Sequence, residues 1–280
     1  MYYEVMLHSG LTSGVPYSIS RWTDVPATRW AWFKSSLEQN MMVAFDSRTS
    51  VPGVWSLRPY DTLGFLFWTK DPTNLISDKE VLQDYRVIVH MTATGWSEVE
   101  RGAPTLDESG RLLVATAKAF DVRWRFSPIP LLPTYEVVTR FQRLAVYAAD
   151  AGLDSVYTSF LQENDRIPES RTPFERFELL NVLADEASAF GLKVVHCNDD
   201  RSFLDFQGSR FQTGICADPL DFAPENGVAA ESCGCVHMVD PFTINEACKF
   251  DCSYCYAGDK TLAPAKRNTT RLPVLRGGLA

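Results

Sequence analysis

The chain has 280 residues, 45% hydrophobic and 12% aromatic, enough to bury the core of one α/β barrel or two small domains. Its formal net charge of −8 argues against a generally basic nucleic-acid coat. No apolar run approaches the roughly 18 residues of a membrane span. The N-terminal MYYEVMLHSG lacks a basic region followed by an apolar run, so we expect no signal peptide and a reducing cytoplasm.

Short β-rich segments alternate with amphipathic stretches, which is typical of βα units around a parallel sheet. Predicted helices cover 27–39, 134–151 and 173–190, the last opened by Thr172 as N-cap with Glu175 at N3. Turn signals within 41–58 predict an inserted β-hairpin. The six predicted strands are 16–21, 63–69, 87–92, 122–126, 155–160 and 193–197.

Six such units predict a partial or closed (βα)6-type barrel of the TIM type over residues 1–200. A cysteine-rich segment, 201–259, is expected to fold over the barrel mouth, followed by a basic tail, 260–280. Barrels of this kind carry their chemistry at the carboxyl ends of the strands. The candidate catalytic residues are therefore polar side chains near those ends: Arg21, Asp24, Lys70 and Arg125.

Each of these residues also has an ordinary structural interpretation. Arg21 and Arg125 can bind a carboxylate bidentately, but Arg21 can equally pair with Asp24 in a salt bridge. Asp24 is also placed to cap the helix near Ala27. Lys70 either binds the cosubstrate or acts as a proton donor, and the alternative is an ordinary surface lysine. The strand aromatics Trp68, Trp124 and Phe126 are expected first in the core, with adenine stacking as the alternative.

Cys248, Cys252 and Cys255 stand as C-x3-C-x2-C in the stretch EACKFDCSYCYAG. A [4Fe–4S] cluster held by only three thiolates leaves one iron without a protein ligand, free to chelate a small molecule. A zinc site is the main alternative, but it favours paired C-x2-C groups or Cys/His mixtures, and only Cys252 and Cys255 form such a pair. Clustered thiols in a reducing compartment more often bind metal than form disulfides.

Four more cysteines, Cys197, Cys216, Cys233 and Cys235, lie in the last third of the chain, and none precedes residue 197. Three plus four thiols predict two clusters, one open and one fully ligated, so these four are candidate ligands of an auxiliary [4Fe–4S] centre. The alternative is that Cys197 and Cys216 are small buried hydrophobic residues. His196 and His237 flank cysteines and are either ligands, acid/base groups or buried core histidines.

Four blocks resemble, in order, a widespread uncharacterised bacterial family that opens with S-R-R-T-D-I-P. The blocks are SISRWTDVPATRWAWF, GFLFWTKDP, RWRFSPIPLL and SCGCVHMVDPFTINEACKFDCSYCYAG. Two positions depart from it: Trp22 replaces the second arginine of the opening, and Ser127 replaces an acid. The last block is similar to the radical S-adenosylmethionine (SAM) signature, which most such enzymes carry after their first strand. Either the barrel is circularly permuted, or the C-terminal block reaches back over its mouth.

The resemblance implies a radical SAM enzyme of isomerase or lyase type, with SAM and [4Fe–4S] clusters, two in number, as cofactors. It implies reductive cleavage of SAM to a 5′-deoxyadenosyl radical that abstracts a hydrogen from the substrate. Thr69, Arg125 and Tyr254 are the candidate cofactor-binding residues, and an external flavodoxin or ferredoxin is the expected electron donor. The expected compartment is the cytoplasm of a bacterial or phage-infected cell, with no membrane partner.

The substrate expectation rests on the acid-free tail, which carries Lys260, Lys266, Arg267, Arg271 and Arg276. Such a tail can contact phosphates, and a flipped base can enter a cleft at a barrel mouth. We therefore expect rearrangement of the side chain of a modified thymidine or other pyrimidine in phage DNA hypermodification. The alternatives are a small metabolite as substrate, a non-catalytic zinc-binding module, and a tail that is simply a solvated terminus.

Overall fold

The computed structural model describes residues 15–20, 23–46, 52–161, 171–197, 206–222, 235–236, 238–242 and 248–255. One seven-stranded sheet, in which every neighbouring pair is parallel, dominates the fold. Its strands, in spatial order, are β1 (Val15–Ser18), β4 (Thr62–Thr69), β5 (Val87–Thr92), β6 (Asp121–Ile129), β7 (Ser155–Phe160), β8 (Lys193–Cys197) and β9 (Gln212–Gly214).

A second, antiparallel sheet contains the predicted hairpin. The hairpin strands are β2 (Met41–Asp46) and β3 (Pro52–Ser56), and β10 (Pro241–Phe242) pairs with β2 on the other side. The C-terminal part of the chain thus contacts an insertion that precedes β4. The hairpin prediction is confirmed.

The helices are α1 (Val25–Thr28), α2 (Trp30–Glu38), α3 (Thr73–Ser77), α4 (Leu106–Ala117), α5 (Thr134–Asp150) and α6 (Pro173–Ser188), with 3₁₀ helices at Lys79–Leu82 and Pro219–Asp221. Capping boxes open α4 at Thr105 with Glu108, and α6 at Thr172 with Glu175. The predicted helix 27–39 is interrupted at Arg29, which separates α1 from α2. The sequence patterns did not predict α4.

Successive strand residues face opposite sides of the main sheet, and both sides are covered. On the helix side, Phe65 and Phe67 of β4 and Trp124 and Phe126 of β6 are fully buried, and Phe141 of α5 packs against the β6 pair. Trp124 and Phe126 are thus core residues, as predicted. On the other side, which we call the inner face, Leu66 and Ile88 pack with Ala217, Phe222, Cys235, Val236 and Met238.

Within the described residues no strand pairing joins β9 to β1, so the two edges of the main sheet are not joined by a ladder. The C-terminal segment nevertheless bonds to both edges. The Val236 amide donates to the Ala217 carbonyl at 2.8 Å, beyond β9. The Val239 amide donates to the Pro16 carbonyl at 3.1 Å, and the Ser18 amide donates to the Val239 carbonyl at 2.8 Å. The α/β fold with a parallel sheet is confirmed, and a closed barrel stays a prediction.

The described helices include none that is both long enough and apolar enough to cross a membrane.

A bidentate ion pair fastens α5 to the loop that follows β5. The Arg140 guanidinium donates to the two carboxylate oxygens of Glu98 at 2.8 and 2.6 Å, and to the Gly95 carbonyl at 2.8 Å. These hydrogen bonds from Arg140 lower the pKa of Glu98 from its ordinary value of 4.5 to about 2. The carboxylate therefore stabilises the folded state while it is ionised.

This pair predicts an acid-dependent stability difference between wild type and Glu98→Gln. Because the pKa of Glu98 is lower in the folded state, its contribution is complete above pH 4.5 and is lost as the pH falls toward 2. We expect the gap between the two thermal unfolding midpoints to be constant from pH 7 to about pH 5.5 and to shrink by pH 3. Glu136→Gln, whose carboxylate lies 3.6 Å from Arg140, is the control, with a smaller gap. A gap for Glu98→Gln that stays constant down to pH 3 would contradict the assignment.

Candidate functional site

The carboxylate of Asp24 joins the carboxyl ends of β1 and β4. It caps α1 by accepting from the Ala27 amide at 3.1 Å, and it also accepts from the Thr69 hydroxyl at 2.8 Å and from the Lys70 amide at 2.7 Å. Burial raises the pKa of Asp24 to about 6, although these hydrogen bonds act to lower it. The capping role considered for Asp24 is present, and the same carboxylate fixes the backbone of Lys70. Thr69, a predicted cofactor-binding residue, is therefore a hydrogen-bond donor to Asp24.

A buried polar network lies beside Asp24 and is centred on Glu100, which is 1% exposed. The Lys70 ammonium donates to Glu100 Oε1 at 2.7 Å, and the Tyr254 hydroxyl donates to the same oxygen. The Thr94 hydroxyl donates to Glu100 Oε2 at 2.9 Å. Burial, followed by the charge of Glu100, raises the pKa of Tyr254 well above its ordinary value. Lys70 and Tyr254 were predicted site residues, whereas Glu100 was not.

The segment 248–255 docks on the loops that follow β4 and β5. The Gly102 amide donates to the Phe250 carbonyl at 3.2 Å, and the Ser253 amide donates to the Val99 carbonyl at 2.9 Å. The Lys249 ammonium lies 2.7 Å from a carboxylate oxygen of Asp71. These contacts bring Cys248, Cys252 and Cys255, which we call the first cysteine group, to the carboxyl ends of the strands.

Burial and nearby donors act in opposite directions on the thiols of the first cysteine group. The backbone amides of Phe250 and Asp24 hydrogen-bond the Cys248 sulfur and act to lower its pKa, although burial raises it overall. Burial raises the pKa of Cys252 to about 12, while the charge of Lys70 acts to lower it. The three sulfurs influence one another electrostatically. Amide donors and a nearby ammonium are the groups that stabilise metal-bound thiolates, and here they oppose the effect of burial.

Arg125 lies on the inner face and has no carboxylate partner among the described residues. Its guanidinium carbon lies 4.3 Å from the ring centroid of Trp68, and it donates to the Ser127 hydroxyl at 3.2 Å. Trp68 therefore stacks on a cation at the inner face and is not a helix-side core residue. Beside it, the His90 ring lies 4.2 Å from Trp68, and burial with the charges of Arg125 and Arg123 holds the pKa of His90 well below 6.5.

Three of the four predicted auxiliary ligands meet on the inner face. The Cys216 sulfur lies 3.6 Å from the Cys235 sulfur and is also hydrogen-bonded to the Cys197 thiol. These thiol contacts, together with burial, hold the pKa of Cys216 far above its ordinary value. We call Cys197, Cys216 and Cys235 the second cysteine group. Cys233, the fourth predicted ligand, lies outside the described residues.

Other predicted residues fall elsewhere. Arg21 and His237 lie outside the described residues. His196 occupies the helix side of the sheet, where its Nδ1 lies 3.2 Å from the Thr158 hydroxyl and its ring lies 5.6 Å from that of Phe160. Because strand neighbours point to opposite faces, His196 does not accompany Cys197, and the core interpretation is the one that holds. Over the described ranges, no three Cys, His, Asp or Glu side chains already form a group that could hold one ion.

The fold and the site together define an α/β protein whose polar residues and thiols gather at the carboxyl ends of a parallel sheet. The chain belongs to the family described as "Domain of unknown function (DUF1848)", which it matches over residues 17–257. No curated protein matches it. Among solved structures, a Ruminococcus gnavus sialic acid aldolase catalytic lysine mutant is similar, with 11% identity, a TM-score of 0.33, and coverage of 84% of this chain and 69% of that chain.

Gly102 provides a test of how the first cysteine group is positioned. A Cβ at this residue would lie 2.3 Å from the Lys249 carbonyl oxygen and 3.0 Å from the Phe250 Cα, so Gly102→Ala must push the segment away. We expect the metal-free variant to alkylate at Cys252 about tenfold faster, because overpacking of this kind costs roughly 1–3 kcal/mol.

The measurement is the rate of iodoacetamide labelling at each cysteine, followed by mass spectrometry of peptides. Gly152→Ala is the control, because no atom lies within 4 Å of a Cβ at that turn, and its cost stays local to the turn. Equal labelling rates at Cys252 in wild type and Gly102→Ala would show that the segment is not held as described.

Proposed function

We propose that this protein is a radical SAM enzyme whose [4Fe–4S] cluster is bound by Cys248, Cys252 and Cys255. The observation that carries the proposal is the placement of these three thiols beside a buried Lys–Glu–Tyr network, at the strand ends where α/β barrels perform catalysis. When bound, such a cluster supplies the electron that cleaves SAM reductively. The remaining argument concerns what the chain's own residues do.

The residues around the thiols stabilise negative charge and hold the loop in place. The amides of Asp24 and Phe250 hydrogen-bond the Cys248 sulfur, and the Lys70 charge favours the thiolate of Cys252. Asp24 accepts from the backbone of Lys70, so the same carboxylate fixes the start of the loop that carries this ammonium. These contacts keep the thiols and the cation in a fixed relation.

Among the residues that the structure describes, the Lys70 ammonium is the group best placed to bind the carboxylate of SAM. It is 13% exposed, and Glu100 and Tyr254 hold it from one side, at 2.7 and 3.4 Å. An ammonium has three donors, so one remains for a ligand. On the inner face, Arg125 stacked on Trp68 offers a planar cation without an acid partner among the described residues. It suits an anionic or aromatic group of the substrate.

A non-catalytic zinc module remains the competing proposal, and it gives no role to the buried network around Glu100. The nature of the substrate stays a prediction from the sequence. Residues 260–280, on which the modified-pyrimidine hypothesis depends, lie outside the described residues. The auxiliary four-iron cluster and the electron donor likewise stay predictions.

Cys252→Ala tests the cofactor. We expect anaerobically purified wild type to be brown and to form 5′-deoxyadenosine from SAM with dithionite. The variant should lose the cluster iron and all SAM cleavage, because three thiolates are the only protein ligands of the proposed cluster. Ser253→Ala, which changes an exposed neighbour and keeps the amide bond to Val99, is the control that retains both properties. Colourless wild type with stoichiometric zinc would favour the zinc module.

Glu100→Gln tests the network separately from the cluster. The change keeps the side-chain shape but leaves the Lys70 ammonium without its buried counter-charge, which in other proteins costs roughly 3–5 kcal/mol. We expect normal iron content with at least about tenfold slower 5′-deoxyadenosine formation, equivalent to 1.4 kcal/mol or more in the barrier. Glu98→Gln, two residues away on an exposed pair, is the matched control with wild-type activity. Loss of iron in proportion to activity would mean that Glu100 only supports the cysteine segment.

A further inference from the structure

The second cysteine group draws three separate parts of the chain to one place. Cys197 ends β8, Cys216 follows β9, and Cys235 lies in the C-terminal segment that runs to β1. Single buried thiols behave as small hydrophobes and need no partner. Three thiols from three segments in mutual contact are a different feature, because packing alone does not require sulfur at all three positions.

We propose that Cys197, Cys216 and Cys235 bind one metal ion, zinc or iron, in a thiolate centre separate from the first cysteine group. The Cys216 and Cys235 sulfurs are 3.6 Å apart. Two thiolates on one tetrahedral ion, each at about 2.3 Å, are roughly 3.8 Å apart. In a four-iron cluster each thiolate binds a different iron and the sulfurs lie further apart. The observed 3.6 Å is also the length of the hydrogen bond between these thiols, and binding one ion requires less movement of them than the auxiliary cluster predicted from the sequence.

The arrangement in the structure is close to such a centre without being one. Cys216 is the middle thiol, in contact with both others, and the described side chains do not yet form a group that could hold an ion. Binding requires the Cys197 and Cys235 side chains to rotate so that all three sulfurs point to one position. All three thiols must also lose their protons. Those protons are released to solvent as the sulfur–metal bonds form.

Two arginines act on Cys216: one fixes its backbone, and the charge of the other acts on its sulfur. The Arg123 guanidinium donates to the Cys216 carbonyl at 2.6 Å and pairs with Asp221, so the backbone of this residue is fixed. Arg125, which has no acid partner among the described residues, is near enough for its charge to act on the Cys216 sulfur. A positive charge at this distance offsets the negative charge of a centre with three thiolates.

A metal ion here would cross-link the two edges of the main sheet. Cys197 and Cys216 belong to the β8–β9 edge, whereas Cys235 precedes Val239, whose backbone bonds to Pro16 and Ser18 of β1. The ion would therefore reinforce the link between the two edges that the Val236–Ala217 and Val239–Pro16 hydrogen bonds already make. It would also anchor the segment that leads to the first cysteine group, although its existence does not depend on the proposed function.

The test uses the cluster-deficient variant, so that cluster iron does not obscure a single ion. Cys252→Ala and Cys252→Ala/Cys216→Ser are purified anaerobically, and zinc, iron and acid-labile sulfide are measured per chain. We expect about one zinc or iron without sulfide in the first protein and none in the second. Cys216→Ser alone should keep the cluster iron. Its SAM cleavage is measured separately, so that failure of the single-ion proposal and failure of the radical SAM proposal are distinguishable.

Two results would overturn the single-ion centre. Absence of metal from Cys252→Ala excludes any centre at these thiols, and loss of about four irons with sulfide on adding Cys216→Ser establishes an auxiliary cluster instead. If Cys216→Ser does not fold, Cys197→Ser at the end of β8 replaces it. In folded Cys252→Ala protein, removal of the ion by a chelator should also lower the midpoint of thermal unfolding by several degrees, because a ligand that binds only the native state stabilises it. An unchanged midpoint would count against the cross-link.

Discussion

The buried carboxylate of Asp24 connects the three parts of the molecule that form the candidate site. It caps α1 directly after β1, accepts from the hydroxyl and amide groups at the end of β4, and its own backbone amide hydrogen-bonds the Cys248 sulfur. A buried carboxylate is costly unless its oxygens are fully used, and here three donors share them. Displacement of any one of these parts would leave a polar group unsatisfied, so the site and the fold constrain one another.

The Lys70–Glu100 pair has a different role. At 2.7 Å and an effective dielectric constant near 20, its attraction is about 6 kcal/mol, and removing two ions from water costs several kcal/mol each. The two quantities nearly cancel, so the pair adds little net stability. Its value is positional, because it fixes an ammonium next to the first cysteine group in a place where a mobile lysine would otherwise sample solvent.

Elements with strong local signals were predictable from the sequence. Strands β5, β7 and β8 match their predicted bounds because apolar runs bounded by turns define them, and α6 follows from its capping box. In contrast, α4 was missed although Thr105 and Glu108 form a capping box at its start too. Its buried face contains Ser109, Gly110, Leu113 and Thr116, mostly small or polar residues, which weakens the apolar pattern. Tyr147 of α5 occupies the space above Gly110, so the reason for that composition lies in another helix.

The candidate site was predictable only in part, for a similar reason. Asp24, Lys70 and Arg125 were found because they stand at or near strand ends, where barrels place their chemistry. Glu100 lies in an irregular loop, and its hydrogen-bond partner Tyr254 is 154 positions away in sequence. No local pattern marks a loop glutamate as buried, since its burial results from the docking of segment 248–255.

That docking also bears on why the cysteine motif stands near the end of the sequence. Val239 forms a parallel bridge with Tyr17, so the segment around it runs alongside β1 in the same direction, and the first cysteine group follows it in the chain. The chain therefore returns along β1 before it reaches the first cysteine group. Because of this return, a motif near the end of the sequence lies at the same strand ends as Asp24, whose backbone amide hydrogen-bonds the Cys248 sulfur.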